Sequence, residues 1–312
     1  MAAEVGTSRV FVVVNAKSGN SAPEEVRRAL SNMVEGSSAT TQIHEPQEGE
    51  DIVATARKAA AEGFETIVAA GGDGTVSAVA NGLIGASARL AIIPLGTANV
   101  LARELGVPLD LEPACALFNG PNQTVAIDAM RVGEKHYFTQ IGIGVDAAMI
   151  RDTKVEHKRR LGNLAYIWTA LTRFIGFQPY RFSISADGKR SRPRALQVVL
   201  ANCGGLGTTK LRWGPDVCVS DGQIDVCILR ARTLLDYLSV GYSVLRGRHR
   251  EERNIQYLPA RRAVAVHTDK PLPVQGDGEV IGETPLEVQI VPGALRVLVP
   301  LDHAGDSSVD DL

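Results

Sequence analysis

Thr66-Ile67-Val68-Ala69-Ala70-Gly71-Gly72-Asp73-Gly74-Thr75-Val76-Ser77 is the stretch on which the fold turns. Thr66 to Ala70 is a short, continuous apolar run stopped by glycine, which suits a strand buried on both faces of a parallel sheet. Thr75 to Leu83 has helix-forming composition, so the glycines between form a strand-to-helix turn. Outward from it, Val10 to Val14 and Leu90 to Ile93 are two more such runs. Pro23 to Met33 and Asp51 to Ala61 are predicted helices between them, with Pro23 near a helix start and Gly63 just past a helix end. The series β-α-β-α-β reads as an open α/β domain over residues 1–130.

After Met130 the texture changes to alternating segments: Arg181 to Ser185, Ala195 to Ala201, Ile224 to Leu229 and Ala263 to His267, separated by Gly, Pro and Asp. Alternation of this kind predicts a mostly antiparallel β domain over 131–290. Two amphipathic helices are expected within it, Leu161 to Ile175 and Thr233 to Leu245. The last strand, Leu295 to Leu301, is expected to return to the first domain, which 291–312 would complete. A chain of 312 residues fits two domains, because a single core stops growing near roughly 250 to 300 residues.

With 45% hydrophobic and 22% charged residues, the composition excludes disordered, collagenous and membrane-spanning classes. The apolar run at Val10 to Val14 is too short for a signal segment, so a cytoplasmic location is expected. Cys115, Cys203, Cys218 and Cys227 never take C-x-x-C spacing and read as reduced, buried thiols. The net charge of −2 hides a division. Residues 1–130 carry 8 Lys/Arg against 15 Asp/Glu, whereas residues 151–262 carry 21 against 9. A basic region of that size calls for an anionic partner, and an anionic membrane surface is the expectation. No recognition motif or aromatic platform points to nucleic acid.

The chemistry begins at Gly71-Gly72-Asp73-Gly74-Thr75. Glycines let backbone approach a phosphate, the N–H groups of a helix start point at it, and Thr75 adds a hydroxyl. Asp73 would repel the anion unless a cation such as Mg²⁺ lay between them. Two more polar loops follow strands and point to the same sheet edge, Asn15-Ala16-Lys17-Ser18-Gly19 and Pro94-Leu95-Gly96-Thr97-Ala98-Asn99. The dinucleotide fingerprint is absent, since Ser77 stands where its third glycine belongs. No Walker A loop and no protein-kinase H-R-D or D-F-G set occurs.

The sequence resembles the diacylglycerol kinase catalytic-domain family of lipid kinases, which shares a superfamily with NAD kinases. The resemblance rests on V-V-N-A-K-S-G-N (Val13 to Asn20), G-G-D-G-T (Gly71 to Thr75), P-L-G-T-A-N (Pro94 to Asn99) and F-T-Q-I-G-I-G-V-D-A (Phe138 to Ala147). It continues through K-R-R-L-G-N-L-A-Y (Lys158 to Tyr166), S-D-G-Q-I-D-V (Ser220 to Val226) and G-D-G-E (Gly276 to Glu279). It implies an N-terminal α/β nucleotide-binding domain, a C-terminal β-sandwich carrying the lipid site, and phosphoryl transfer from ATP to a lipid hydroxyl with Mg²⁺. Nucleotide contacts would come from Asn15, Ser18, Gly19, Gly71, Gly72, Asp73, Gly74, Thr75, Val76, Ser77, Gly96, Thr97 and Asn99.

By the same resemblance Glu279 is the catalytic base, with Asp277 and Asp73 in supporting catalytic roles. Asp221 would bind a structural Mg²⁺ together with the carbonyls of Cys218 and Gln223, and Asp128 would support a hydrated Mg²⁺ near Asp73. Val100 departs from the family, which places an acid there, and His44 stands near an expected nucleotide-contacting Thr. Two alternatives stay open. One is an NAD kinase-like enzyme, although its S-T-P-T-G-S-T-A-Y-like segment is missing; the other is a nucleotide- or lipid-binding protein that has lost catalysis. The lipid and the oligomeric state, a homodimer included, are undetermined by the sequence.

Overall fold

A computed structural model describes residues 8–15, 23–35, 39–144, 179–205, 212–214, 216–231, 234–247 and 252–302. The expected helix Leu161 to Ile175 and the loop residues Ser18 and Gly19 lie outside the described residues. The chain divides into two compact units, one of Met1–Asp128, Gly207–Thr209 and Pro292–Leu312, the other of Ala129–Leu206 and Lys210–Val291.

In the first unit, β1 (Arg9–Val14), α1 (Pro23–Glu35), β2 (Thr40–His44), α2 (Ile52–Ala61), β3 (Thr66–Gly71), α3 (Asp73–Leu83) and β4 (Arg89–Pro94) alternate. They are followed by α4 (Val100–Glu104) and α5 (Leu111–Asn119). The strands pair in parallel in the order β4-β3-β1-β2. Every residue of β3 is buried, as its unbroken apolar run requires. Val10, Val12 and Val14 pack on one face against Val26, Leu30 and Met33 of α1 and Ala114 and Cys115 of α5. On α3, Gly82 lets α2 come close: a Cβ there would stand 2.6 Å from the Val53 carbonyl oxygen. Asp51 caps α2 by accepting from the Ala54 N–H at 3.1 Å, which satisfies one of the helix's orphan donors.

The structure adds β2, so the series is one strand longer than the apolar runs suggested. Its sequence, Thr40-Thr41-Gln42-Ile43-His44, is polar because β2 is a sheet edge with no residue fully buried. The periodic signal is therefore missing where the strand has only one neighbour. The helix after Gly72 also starts earlier than its composition implied, since the Gly72 carbonyl accepts from Thr75 N–H at 2.9 Å and Val76 N–H at 3.0 Å.

Two long strands are divided by the unit boundary, β5 (Asn122–Val132) and the last strand. Between them come β6 (Lys135–Tyr137), β7 (Gln140–Gly144), β8 (Tyr180–Ala186), β9 (Lys189–Ser191), β10 (Arg194–Ala195), β11 (Gln197–Ala201) and β12 (Ile224–Leu229). The series closes with α6 (Leu234–Leu245), β13 (Ile255–Ala260), β14 (Ala263–Thr268), β15 (Pro273–Gly276), β16 (Glu279–Glu283) and β17 (Leu286–Pro300). One sheet runs β13-β12-β11-β7-β15-β16, every pair antiparallel. Within the second unit the other sheet comprises β10, β8, β14 and the first half of β17, with β9 beside β8. Ile141, Ile143, Val198, Leu200 and Val226 of the first meet Phe182, Ile184, Val264, Val266 and Val288 of the second in one core. Two sheets that bury facing side chains against each other make a β-sandwich. β8 alternates as expected, whereas β11 is buried at every position because Val199 and Ala201 pack on its other face with Val217 and Cys227.

Candidate functional site

At the carboxyl end of the parallel sheet, the crossover from β1 leads toward β2 while the crossover from β3 leads toward β4. The chain therefore departs in opposite directions from two adjacent strands, which is where open α/β sheets bind ligands. Two of the polar loops meet at this point, joined by Asn15, the described residue of the third. Asn15 donates from its backbone N–H to the Ala70 carbonyl at 2.8 Å and from its side chain to the Thr75 hydroxyl at 3.2 Å. Leu95 N–H donates to the Gly71 carbonyl at 2.9 Å. A Cβ on Gly71 would lie 2.6 Å from the Thr75 side chain, and one on Gly96 would lie 2.7 Å from the Gly72 Cα. Both positions therefore need glycine for want of room, Gly71 against the Thr75 side chain and Gly96 against the Gly72 backbone, rather than for a special φ.

Asp73 opens α3, yet its carboxylate serves the neighbouring loop. It accepts from Asn99 N–H at 2.9 Å and from Val100 N–H at 2.7 Å, capping the start of α4. Asn99 takes the left-handed conformation (φ 47°), which Asn tolerates, and its amide closes a ring with Gly96, accepting from its N–H and donating to its carbonyl. Because Val100 contributes a backbone group, this tie does not depend on the side chain that departs from the family pattern. Gly74 is exposed, with nothing within 4 Å of where its Cβ would be; Ser77 is half-buried and Val76 is buried beneath the turn. Thr97 sits exposed on the same loop as Gly96. His44 ends β2 with its Nε2 at 2.6 Å from the Glu50 carboxylate, which the Thr55 hydroxyl also reaches. Asp128 is buried on β5, and its carboxylate accepts from the Gly293 N–H at 2.8 Å.

In the second unit, Asp277 and Gly278 close the β15–β16 hairpin with φ values of 48° and 89°. Positive φ at both central positions is the tight turn that matches strand twist, and Asp-Gly is a preferred pair for it. The Asp277 carboxylate accepts from the backbone N–H groups of Phe138 (2.9 Å), Thr139 (2.9 Å) and Gln140 (3.2 Å) and from the Thr139 hydroxyl (2.6 Å). Burial pushes this carboxyl above the ordinary aspartate value, against the pull of those four donors. A Cβ on Gly276 would lie 2.5 Å from the Tyr137 ring, so the turn also rests on that ring. Burial raises the Tyr137 hydroxyl, and the nearby Asp277 and Glu279 carboxylates raise it further, keeping it a neutral phenol.

Glu279 stands first on β16, exposed, with no hydrogen-bond or ion-pair partner among the described residues. Thr139 and Tyr137, which fix the turn behind it, carried no signal beyond lying in or beside the F-T-Q-I-G motif. Their role appears only once β7 is seen beside β15. Farther along the same sheet, Asp221 accepts from Gln223 twice, from its N–H at 2.9 Å and its amide at 3.1 Å. It lines a cavity of about 510 Å³ with Asp216, Gln223, Asp225, Gln256 and Tyr257. Cys218 lies half-buried two residues before the Ser220-Asp221-Gly222 turn.

Residues 9–132 match the diacylglycerol kinase catalytic domain, and residues 139–299 match the YegS C-terminal NAD kinase beta sandwich-like domain. The chain is 30% identical to a diacylglycerol kinase of Bacillus subtilis over 95% of its own length and 98% of that protein. The chain belongs to the diacylglycerol kinase family of lipid kinases. A probable YegS-like lipid kinase of Alcanivorax borkumensis is 31% identical over 81% of this chain and 85% of its own. The structure of a putative diacylglycerol kinase from Bacillus anthracis superposes with a TM-score of 0.82 at 22% identity, covering 97% of this chain and 99% of that one, which shows the shared fold. This lipid kinase is thus a phosphotransferase. The turns at Asp73 and at Asp277 both lie within the matched domains.

Proposed function

We propose that the enzyme transfers the γ-phosphoryl group of MgATP to a hydroxyl of a diacylglycerol- or sphingosine-like lipid, with Glu279 as the base. The observation that carries this reading is the contrast at the hairpin: Asp277 is fully engaged by four donors, and Glu279, two residues on, is engaged by none among the described residues. A hydroxyl nucleophile needs a carboxylate acceptor within hydrogen-bond reach, and a locked turn presents one without reorganisation. Asp277 is then a positioning residue. The names of the relatives support a lipid acceptor, and the kinase family supports ATP as donor.

The first unit is the proposed nucleotide domain. Gly71, Gly72, Gly74 and Thr75 would receive phosphates at the start of α3, joined by Asn15, Gly96, Thr97 and Asn99, with Ser18 and Gly19 as further contacts. Among the described residues no three carboxylate, His or Cys side chains cluster to hold a metal ion. Mg²⁺ keeps most of its waters and is bound by one or two carboxylates plus substrate phosphates, so the proposed site needs no such cluster. Asp73 would hold it, with Asp128 in support, and the ion would neutralise phosphate charge. Asp221 and the carbonyls of Cys218 and Gln223 are the proposed ligands of a second, structural Mg²⁺. The second unit, residues 131–290, would take the lipid. No helix among the described residues is long and apolar enough to cross a membrane. The enzyme is proposed to reach its acceptor as a peripheral protein at the cytoplasmic face, on the strength of the excess of Lys and Arg in residues 151–262.

The test is incubation with MgATP labelled at the γ position and a total lipid extract, followed by mass spectrometry of the organic phase. A phosphorylated lipid is expected, and Glu279→Ala should lower its rate by about 10²- to 10⁴-fold with an unchanged melting temperature. An undiminished rate would sink the assignment of Glu279. Label confined to NADP in the aqueous phase would replace the lipid acceptor with a dinucleotide.

A further inference from the structure

Tyr180 to Ala195, which covers β8, β9 and β10, contains Arg181, Lys189, Arg190, Arg192 and Arg194 against the single acid Asp187. All five basic side chains are exposed. Phe182, Ile184 and Ala186 alternate inward into the sandwich core, so Arg181, Ser183 and Ser185 point outward. Register places Arg194 opposite Arg181 and Arg190 opposite Ser185, and His267 of β14 falls opposite Ser183 on the same face. Like charges directly opposite across a ladder are unfavourable, so the Arg181 and Arg194 pair is a cost that folding alone does not repay.

Two features leave this charge uncompensated. Asp187 commits its carboxylate to the backbone N–H groups of Arg261 (2.7 Å), Arg262 (2.9 Å) and Ala263 (3.0 Å), with the Arg262 charge nearby, and among the described residues makes no ion pair with the basic side chains of β8, β9 or β10. The turn thereby brings two further basic residues, Arg261 and Arg262, to the same corner, both exposed. Arg181 reaches Asp269 only at 3.9 Å, with both side chains about two-thirds exposed (65% and 69%). Lys189, Arg190, Arg192 and Arg194 form no ion pair among the described residues. Pro193 interrupts the edge between β9 and β10, and Lys or Arg on an edge strand also discourages sheet-to-sheet pairing. Edge protection accounts for charge along the edge, whereas Arg181, Arg190 and Arg194 also share the outward face of the sheet by register.

We infer that the outward face of β8, β9 and β10, with the Arg261–Arg262 corner, docks the enzyme onto the anionic head groups of a phospholipid bilayer. This rests on the reading that the acceptor is a lipid, since such an enzyme works at a bilayer whose surface carries the opposite charge. None of the described residues of this face is a large exposed apolar side chain, and the attraction inferred from its charge is electrostatic and screened by salt.

The experiment is co-sedimentation with vesicles of phosphatidylcholine containing 0 to about 40% phosphatidylglycerol, at low and at about 0.15 M salt, with no ATP present. Binding should rise with anionic lipid and fall with salt. The variant Arg190→Glu/Arg194→Glu should bind anionic vesicles at least about tenfold more weakly. Arg57→Glu/Lys58→Glu on α2, an equal change of charge in the other unit, should bind nearly as the parent does. Kinase activity toward lipid in neutral detergent micelles should persist in both variants, which separates failure of docking from failure of the lipid-acceptor reading. If the glutamates prevent folding, Arg190→Gln/Arg194→Gln gives the same comparison with half the charge change. Unchanged binding by the β9–β10 variants, equal loss in the α2 variant, or a variant that aggregates while still binding vesicles would overturn the inference. Retardation of DNA abolished by these substitutions, with vesicle binding intact, would do the same in favour of nucleic acid.

Discussion

Ala186-Asp187-Gly188 and Gly276-Asp277-Gly278 are the same device used twice in the second unit. Each Asp-Gly pair closes a hairpin with positive φ at both residues, 48° and 83° in one, 48° and 89° in the other. Each carboxylate then gathers three consecutive backbone N–H groups from a distant segment, 261–263 in the first and 138–140 in the second. The first device leads into Lys189 and an exposed basic strand, the second into Glu279. An acid in a Gly-rich turn can therefore be a clamp, and the residue presented beside the clamp carries the chemistry. Gly72-Asp73-Gly74 repeats the tripeptide of the second clamp in another setting, where it begins a helix and clamps a second one.

The largest expected effect separates clamp from chemistry. Asp277→Ala leaves three N–H groups and a hydroxyl without their acceptor, so stability should fall by about 1 to 3 kcal/mol or more, with a large loss of kcat as the turn bearing Glu279 loosens. Asp187→Ala breaks the matching clamp at an exposed turn and should lower stability by less, with kcat in neutral micelles intact. Chemical unfolding and micelle assays on both variants check this; equal losses of kcat would remove the distinction between the two turns.

A smaller effect divides two glycines of the Asp73 turn, Gly71 and Gly74. Gly71→Ala drives a Cβ to 2.6 Å from Thr75 and should cost stability of order 1 to 3 kcal/mol as well as nucleotide affinity. Gly74→Ala meets nothing within 4 Å, so any loss there should appear in ATP affinity and hardly in melting temperature. Nucleotide titration beside thermal melts of the two variants tells them apart. An ATP affinity unaffected by both would move the phosphate site away from this turn.

The smallest effect is in the pH dependence, where the clamps should have opposite signs. Asp277 lies above its ordinary value of 3.8, chiefly through burial. Its contribution is complete below 3.8 and declines as pH rises through the folded value. At Asp187 burial opposes the shift, but the hydrogen bonds from Arg261, Ala263 and Arg262 outweigh it and lower the carboxyl from 3.8. That contribution is present above 3.8 and is lost as pH falls through the depressed value. Urea unfolding from about pH 3 to 7 should show the parent's advantage over Asp277→Ala shrinking with rising pH and its advantage over Asp187→Ala growing. The same slope for both variants would mean that the two carboxylates share one environment.

Much of the architecture was legible in the sequence. Thr66 to Gly71, Val10 to Val14 and Leu90 to Ile93 are buried on both sides, so hydrophobic continuity betrays them, and the residues Gly71 to Thr75 have few structural uses other than a strand-to-helix turn against a ligand. β2 was not legible, because an edge strand has no second neighbour to demand apolar residues. Nor were the partners of the acids. Asp73 with Asn99 and Val100, and Asp277 with residues 138–140, are separated by 26 to 139 positions.

Local composition by itself determined the buried strands of the parallel sheet, the glycine turns, the family and the identity of Glu279 as a candidate base, because each depends on neighbours within a few residues. The tertiary structure decided which carboxylates are already engaged, which glycines are held by close approach rather than by φ, and which arginines share one outward face. Those properties depend on groups that only folding brings within about 3 Å, a distance over which hydrogen bonds form and chain spacing carries no information.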